Sequence, residues 1–202
     1  MKDWVGNSNS IYKTLGASNH TDEERQSEDY YATDPEAIDK LLQVETPNRK
    51  IWECAAGAGH LSEELKRHGF EVYSTDLINR GYDLDKIQDF LTAGAMEGGC
   101  DDILTNPPYK YAKEFVAKSL ELLKEGCRCY MFLKLQFLEG VARYNEIFRA
   151  TPPKSVYVFK KRILCAKNGE FERMKQGGGS AVAYAWFVWQ KGYNDSTTIS
   201  WI

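Results

Sequence analysis

The sequence contains no apolar run long enough to cross a lipid bilayer. The longest strongly apolar stretch, residues 181–189, is well short of the roughly 20 residues that a spanning helix needs. The first four residues, Met-Lys-Asp-Trp, lack the basic, apolar and cleavage regions of a secretory signal peptide. We therefore expect a cytoplasmic protein that makes no membrane contact.

Cysteine and histidine are too few and too scattered to form a disulfide framework or a zinc site. The five cysteines are an odd number in a chain with no sign of export, so disulfide bonds are not expected. Cys127 and Cys129 are two positions apart, but the three histidines are not spaced around them as zinc ligands would be. The sequence predicts buried thiols and no metal.

Neither sign of charge dominates the chain, whose 26 Lys and Arg against 29 Asp and Glu give a net charge of −3. The basic residues are nevertheless concentrated, because residues 154–175 hold seven Lys or Arg and only two Glu. A basic patch on an acidic body fits a nucleic-acid contact surface, although a solvated hairpin is an equally good interpretation. The candidate phosphate-binding residues are Lys160, Lys161, Arg162, Lys167, Arg173 and Lys175.

The length and the order of the patterns predict one α/β domain. A chain of 202 residues with 43% hydrophobic and 27% charged residues is typical of a globular domain. Residues 1–29 are polar and predict a loosely structured arm, which leaves 30–202 as the domain. Predicted strands cover 50–55, 71–77, 101–106, 128–137, 155–165 and 181–190. One predicted helix begins near Pro35, and three others cover 60–68, 111–124 and 139–150. This alternation favours a mostly parallel sheet with helices on both faces and an antiparallel C-terminal hairpin.

The first motif with chemical meaning is the glycine-containing loop, residues 53–59, between a strand and a helix. Its glycines allow a ligand to approach the backbone, and the helix that follows offers unpaired N–H groups. Asp76 ends the next strand, where a carboxylate can accept both hydroxyls of a ribose. Ser62 stands where a dinucleotide fingerprint has its third glycine, which disfavours a nicotinamide-dependent oxidoreductase. An ordinary tight turn is the alternative.

The second motif is the tetrapeptide Asn106, Pro107, Pro108 and Tyr109, which follows a strand and therefore lies at the same sheet edge. The proline after Pro107 favours an extended backbone there and fixes the direction of the Pro107 carbonyl. That carbonyl and the Asn106 side-chain oxygen can accept both hydrogens of one planar amino group, and Tyr109 can stack on a heterocycle. A turn that merely ends the strand would explain the prolines but not Asn106 and Tyr109 together.

From about residue 30 onward, these motifs and their order resemble the S-adenosylmethionine-dependent amino-methyltransferases, and within them the DNA adenine-N6 enzymes. The resemblance implies a Rossmann-like class I methyltransferase sheet of seven strands with a reversed last strand, and a catalytic role for residues 106–109. The C-terminal third is similar to small phage-type adenine methyltransferases, which implies a bacterial or phage-infected host. The cofactor-binding residues implied are Tyr30, Tyr31, Thr33, Glu53, Ala55, Gly57, Gly59, Asp76, Leu77, Asp89 and Phe90.

The substrate is less tightly specified than the reaction. Glutamine-N5 methyltransferases that act on proteins also carry Asn-Pro-Pro-Tyr. RNA differs from DNA by its 2′-OH, and no residue pattern in this sequence indicates whether that group is recognised, so RNA adenine is another alternative. A non-catalytic methyltransferase-fold binding module is a further alternative. The chain has no long insertion for a target-recognition domain, so we expect DNA to be the partner with short or relaxed sequence preference, or with specificity supplied by a dimer or another protein.

Overall fold

The structure, a computed structural model, describes residues 31–96, 99–176 and 180–202. The predicted arm, residues 1–29, and Tyr30 lie outside the described residues, as does the glycine loop 177–179. The strands are β1 (Tyr31–Thr33), β2 (Lys50–Glu53), β3 (Glu71–Asp76), β4 (Lys86–Ile87), β5 (Asp102–Thr105), β6 (Arg128–Lys134), β7 (Ser155–Val158), β8 (Cys165–Lys167), β9 (Tyr184–Gln190) and β10 (Thr198–Trp201). The α-helices are α1 (Glu36–Leu41), α2 (His60–Arg67), α3 (Ala112–Leu122), α4 (Val141–Arg143) and α5 (Phe171–Gln176).

Eight strands form one central sheet in the order β10-β7-β9-β6-β5-β2-β3-β4. The strands β2 to β6 are all parallel to one another, whereas β9 runs antiparallel to both of its neighbours, β6 and β7. The mostly parallel sheet with an antiparallel C-terminal pair is therefore confirmed. The remaining two strands, β1 and β8, pair antiparallel in a small separate sheet.

Alternating side chains of the sheet build a core on each of its faces. On β6, Cys129, Met131 and Leu133 enter one core, which also holds Phe115 and Val116 of α3. Tyr130 and Phe132 enter the opposite core, which holds apolar side chains of α1 and α2. Strand side chains alternate between faces with a period of two, and burial on both sides explains the continuous apolar sequence of β6. Helices on both faces are thus confirmed.

The structure differs from the predicted elements mainly after residue 134. The predicted helix 139–150 is instead the single turn α4 followed by a π-helical turn, Tyr144–Phe148. The predicted strand 155–165 is divided into β7 and β8, so β7 and β9 are joined by a long connection that includes α5. An additional strand, β10, pairs parallel to β7, so the main sheet has eight strands where the resemblance implied seven.

Most of the cysteines are buried, as the sequence predicts. All five cysteines are free thiols, of which four are buried and Cys127 is half-buried. In the part of the chain that the structure describes, no helix has both the length and the apolar character needed to cross a membrane.

Candidate active site

The parallel strands bring the two sequence motifs to one edge of the sheet. Glu53 ends β2, Asp76 ends β3, and Asn106 directly follows β5. Because β2, β3 and β5 are parallel and adjacent, their carboxyl ends lie together. One cleft at this edge is lined by Tyr31, Ala32, Thr33, Glu53, Ala55, Ala56, Gly57, His60, Leu61 and Asn106, with about 250 Å³ of space that is open to solvent.

The glycine loop turns sharply between β2 and α2 because two of its residues adopt the left-handed conformation. Gly57 has a φ of 59° and Gly59 a φ of 80°. Gly59 also packs against the ring of Tyr82, since a Cβ built on it would lie 2.3 Å from that ring. The loop therefore needs glycine at position 59 for two reasons, its backbone conformation and the absence of a side chain.

Glu53 is a buried carboxyl at the floor of the cleft. Its oxygen accepts a hydrogen bond from the Ser62 hydroxyl, which lies 2.7 Å from the hydroxyl of Ser74. Burial raises the pKa of Glu53 to about 8, and the nearby Asp76 adds to the rise. Ser62, which occupies the position of the missing third glycine, thus has a structural role: it links the loop carboxyl to the neighbouring strand.

Asp76 holds the glycine loop in place from the end of β3. One carboxylate oxygen accepts the Gly57 N–H at 2.8 Å, and the other accepts the Ile78 N–H at 2.9 Å and the Arg80 guanidinium at 3.1 Å. The Asp76–Arg80 ion pair is mostly shielded from solvent, with side-chain exposures of 12% and 16%. The residue expected to bind a ribose therefore also fixes the backbone of the loop that would face the cofactor.

Three of the other expected cofactor residues, Leu77, Asp89 and Phe90, are not among those that line the cleft, and neither are Gly59 and Asp76. Leu77 is 63% exposed next to Asp76. Asp89 accepts a hydrogen bond from the Leu91 N–H and so begins a short 3-10 helix, Phe90–Thr92. Phe90 is buried against Trp52, with ring centroids 5.2 Å apart, which makes it a core residue. Tyr31, Thr33, Glu53, Ala55 and Gly57, by contrast, all line the cleft.

The Asn106 side chain makes hydrogen bonds through its amide nitrogen and none through its amide oxygen among the described residues. Its Nδ2 donates to the Tyr31 carbonyl at 2.8 Å and to the Sγ of Cys165 at 3.6 Å. Its Oδ1 is buried and accepts no hydrogen bond from the described residues. A buried carbonyl oxygen with no partner is unfavourable, by about 1–3 kcal/mol, unless a ligand supplies the donor. Asn106 thus presents an unsatisfied acceptor at the cleft.

The rest of the tetrapeptide forms a stiff corner after Asn106. Pro107 is buried, Pro108 is exposed, and the Pro108 carbonyl accepts the Tyr111 N–H at 2.8 Å. The Lys134 ammonium lies 4.9 Å from the centroid of the Tyr109 ring, and the Tyr109 hydroxyl lies 3.2 Å from the Sγ of Cys165. Burial raises the pKa of Tyr109 well above its usual range, so this phenol stays neutral.

The small β1–β8 sheet and α5 pack beside the cleft. Tyr31 pairs with Lys167 and Thr33 with Cys165, which brings the segment before the first helix against the C-terminal third of the chain. The ring of Phe171, the first residue of α5, packs edge-on against His60 at 5.4 Å. Burial lowers the pKa of His60. His60 therefore contacts both the cleft and the neighbouring helix.

The six candidate phosphate-binding residues are all exposed, on the connection from β7 to β9. Since β7 is parallel to β6 through their shared neighbour β9, this connection leaves β7 at the same edge as Asn106. Arg173 pairs with Glu170, which precedes α5, and Lys175 pairs with Glu172 within α5, while Arg162 donates to the Ala181 carbonyl. The basic segment thus begins at the edge that carries the cleft, and part of its charge is paired locally.

Several residues of the site were not singled out from the sequence. Ser74 and Arg80 contact Ser62 and Asp76 beside the glycine loop, and Lys134 and Cys165 contact Tyr109. Arg80 is four residues from Asp76, a spacing that could have suggested the pair. Cys165 is 59 residues from Asn106, and no local sequence pattern predicts that the two side chains are in contact.

Comparisons with known proteins find the fold but no sequence relative. The sequence matches no protein-family model and no curated protein. Among solved structures, a putative RNA methyltransferase from Pyrococcus horikoshii is similar with a TM-score of 0.53 and 14% identity, covering 80% of this chain and 82% of that one. A putative hemolysin from Lactococcus lactis is similar with a TM-score of 0.55 and 11% identity, over 81% of this chain and 89% of that one.

A third similar structure is part of a larger enzyme, the type IIG restriction endonuclease BpuSI. The TM-score is 0.50 at 13% identity, over 79% of this chain and 24% of that chain. At these identities the likeness shows a shared fold. Together with the strand order, it assigns the chain a Rossmann-like fold of the class I methyltransferase type.

Proposed function

We propose that this protein transfers a methyl group from S-adenosylmethionine to the N6 amino group of adenine in DNA. The observation that carries the proposal is the buried, unpartnered Oδ1 of Asn106, a residue that lines the same cleft as the glycine loop. The amino group of a substrate would supply the hydrogen-bond donor that Asn106 Oδ1 lacks, beside a glycine loop of the kind that binds nucleotides.

The donor set of the cleft fits the proposed cofactor. S-adenosylmethionine supplies a methyl group on a positively charged sulfonium, and it carries an amino acid portion with a second cationic centre. Glu53 offers a buried carboxyl at the cleft floor, where ionisation would complement a cation. Asp76 would hold the nucleoside end, and Leu77 and Asp89 would contact the adenine ring. Tyr31 and Thr33 would close the opposite wall.

On the amine side, the chain's own groups orient the substrate nitrogen. Asn106 Oδ1 would accept one hydrogen of the amino group and the Pro107 carbonyl the other, which draws the nitrogen lone pair out of the ring system. Tyr109 would stack on the base and Pro108 would keep the corner rigid. The proton released after transfer leaves to water, so this step requires no general base.

DNA is proposed as the substrate because the basic segment begins at the edge that carries the cleft. The exposed residues Lys160, Lys161, Arg162, Lys167, Arg173 and Lys175 would contact phosphates, while the target adenine is flipped out toward Asn106. The structural similarity to a type IIG restriction endonuclease agrees with action on DNA. RNA adenine is the second candidate, favoured by the similarity to a putative RNA methyltransferase.

The test is transfer of labelled methyl from S-adenosylmethionine to DNA, RNA and protein offered separately, followed by nucleoside analysis. We expect label on N6-methyladenine from DNA, with transfer that falls steeply as salt increases. Label on RNA alone would select the second candidate, and label on glutamine or cytosine would refute the adenine assignment. Binding of S-adenosylhomocysteine with no product on any substrate would indicate a non-catalytic module, and preferential binding of a reduced nicotinamide would indicate an oxidoreductase.

A further inference from the structure

Cys165 lies between Asn106, Tyr109 and the backbone of Tyr31. It is the first residue of β8 and is 3% exposed. Its Sγ lies 3.2 Å from the Tyr109 hydroxyl and 3.6 Å from the Asn106 Nδ2, and 3.9 Å from the Tyr31 carbonyl. One thiol thus contacts the side chains of Asn106 and Tyr109 and also β1, whose Tyr31 carbonyl binds Asn106.

These contacts determine which way the Asn106 amide faces. Its two N–H groups point to the Tyr31 carbonyl and to the Cys165 sulfur, which leaves Oδ1 as the end of the amide without a hydrogen-bond partner among the described residues. Rotating the amide by 180° would place Oδ1 against the Tyr31 carbonyl oxygen, which can only accept. The carbonyl therefore favours the orientation in which Nδ2 donates to it, and in that orientation the Cys165 sulfur accepts the second N–H of the amide.

The sulfur acts in this position as a neutral group. Burial raises the pKa of Cys165, and no basic side chain is among its hydrogen-bond partners in the described part of the chain. A neutral thiol is a weak donor and a weak acceptor, and it is a poor nucleophile. Its contribution is therefore to hold its neighbours and not to attack or accept the methyl group.

The strand that carries Cys165 also connects the amine side with the basic segment. β8 pairs with β1 and ends at Lys167, one of the exposed basic residues, and α5 follows four residues later. A shift of β8 would displace the thiol from Asn106 and Tyr109 together. The position of this strand thus sets the geometry of both side chains.

We propose that Cys165 is a positioning residue of the methyl-transfer site, whose thiol helps to keep the Asn106 amide oriented toward the amine to be methylated and holds the Tyr109 hydroxyl in place. The expected effect of Cys165 on the rate of methyl transfer rests on the proposed function. Its effect on the positions of the Asn106 and Tyr109 side chains does not.

The kinetic experiment compares C165A and C165S with C129A. Cys129 is a matched control because it is an equally buried thiol near the amino end of β6, away from Asn106. We expect C165A to lower kcat about tenfold, the loss of roughly one hydrogen bond, with KM and cofactor Kd changed less than about twofold. C165S, which keeps a hydrogen-bonding group, should retain kcat within about threefold. Equal kcat in C165A and C129A, or equal losses in C165A and C165S, would overturn the positioning role.

A second readout does not require turnover. The side-chain NH2 resonances of Asn106 can be identified as the pair that is lost in N106A. We expect them to shift in C165A and to stay in place in C129A, because only the former removes an acceptor of that group. Unshifted resonances in C165A would overturn the positioning role whether or not the chain is active. A shift in C165A together with no methyl transfer by the unaltered protein would refute the proposed function and leave the orientation of Asn106 by Cys165 supported.

Discussion

The cofactor side and the amine side of the cleft are assembled in different ways. On the cofactor side, hydrogen bonds join residues that are close in sequence, such as Gly57 with Asp76, 19 positions apart, and Ser62 with Glu53, nine apart. On the amine side, Asn106 bonds to Tyr31, 75 positions away. The hydrogen bonds that hold the glycine loop lie within one strand-helix-strand unit, although Tyr31 and Thr33 of β1 also line that part of the cleft. The contacts of Asn106 form only when β1 and β8 pair. The amine side should therefore be the more sensitive to tertiary changes.

The largest expected effect concerns the buried carboxyl on the cofactor side. The folded chain keeps a proton on Glu53 up to about pH 8, whereas the unfolded chain releases it near the ordinary pKa of 4.5. The contribution of Glu53 to the free energy of unfolding should therefore be largest below pH 4.5 and fall as pH rises to about 8, by on the order of 4 kcal/mol. Urea unfolding of the unaltered protein and of E53Q at several pH values measures this.

Glutamine at position 53 keeps a partner for Ser62 but cannot ionise, so the curve of E53Q should be flatter between pH 5 and 8. Parallel curves for the two proteins would mean that Glu53 is already ionised in the folded state, in conflict with its burial.

The next effect separates the amine side from cofactor binding. Asn106→Ala removes the unpartnered acceptor, and we expect methyl transfer to slow by about a hundredfold, as for other single groups that stabilise a transition state. Calorimetric affinity for S-adenosylhomocysteine should change much less, since the bonds of Glu53 and Asp76 that hold the glycine loop do not involve Asn106. Full activity in N106A would remove the clamp role.

Glycine 59 allows the cost of backbone strain to be separated from the cost of a collision. Gly59→Ala combines a φ of 80° with a Cβ 2.3 Å from the Tyr82 ring, whereas Gly81→Ala has a φ of 85° and no atom within 4 Å. We expect G81A to lower the free energy of unfolding by about 1 kcal/mol and G59A by roughly 2 kcal/mol more. Thermal or urea unfolding measures both, and equal losses would show that Tyr82 moves aside freely.

The smallest of these effects is on cofactor affinity. Asp76→Ala removes the acceptor of the Gly57 N–H and the partner of Arg80, so we expect affinity for S-adenosylhomocysteine to fall about tenfold. The rate at saturating cofactor should change little, because Asn106 is untouched. Asp83→Ala, an exposed acid in the following loop, is the matched control. An effect of D76A on rate alone would contradict the division between the two sides.

The same division explains how much of the molecule could be predicted from its sequence. Alternating strands and helices up to residue 134, the glycine turn and the position of Asn106 follow from local patterns of glycine, proline and apolar residues. The separation of β7 from β8 could not be foreseen, because it depends on Cys165, Ala166 and Lys167 finding β1, more than 130 residues earlier in the chain. For the same reason, the sequence indicated Asn106 but not the thiol that orients it.

The π-helical turn after α4 is a second case in which tertiary contacts decide. The apolar spacing of residues 139–150 predicted a regular helix. In the structure the Arg143 guanidinium instead donates to backbone carbonyls of the preceding turn, including Phe137 at 2.9 Å, and packs on the Phe137 ring. Lys113 of α3 also pairs with Glu146 in this turn. Such contacts compete with regular helical geometry and leave no periodic signal.

The most direct test of the central claim is the nucleoside composition of DNA from a bacterial host that lacks its own adenine methylation and expresses either this protein or N106A. The account predicts N6-methyladenine in the host that expresses the unaltered protein and almost none with N106A, at equal levels of folded protein. The same amount of N6-methyladenine with both proteins, or none with either despite binding of S-adenosylhomocysteine, would contradict it.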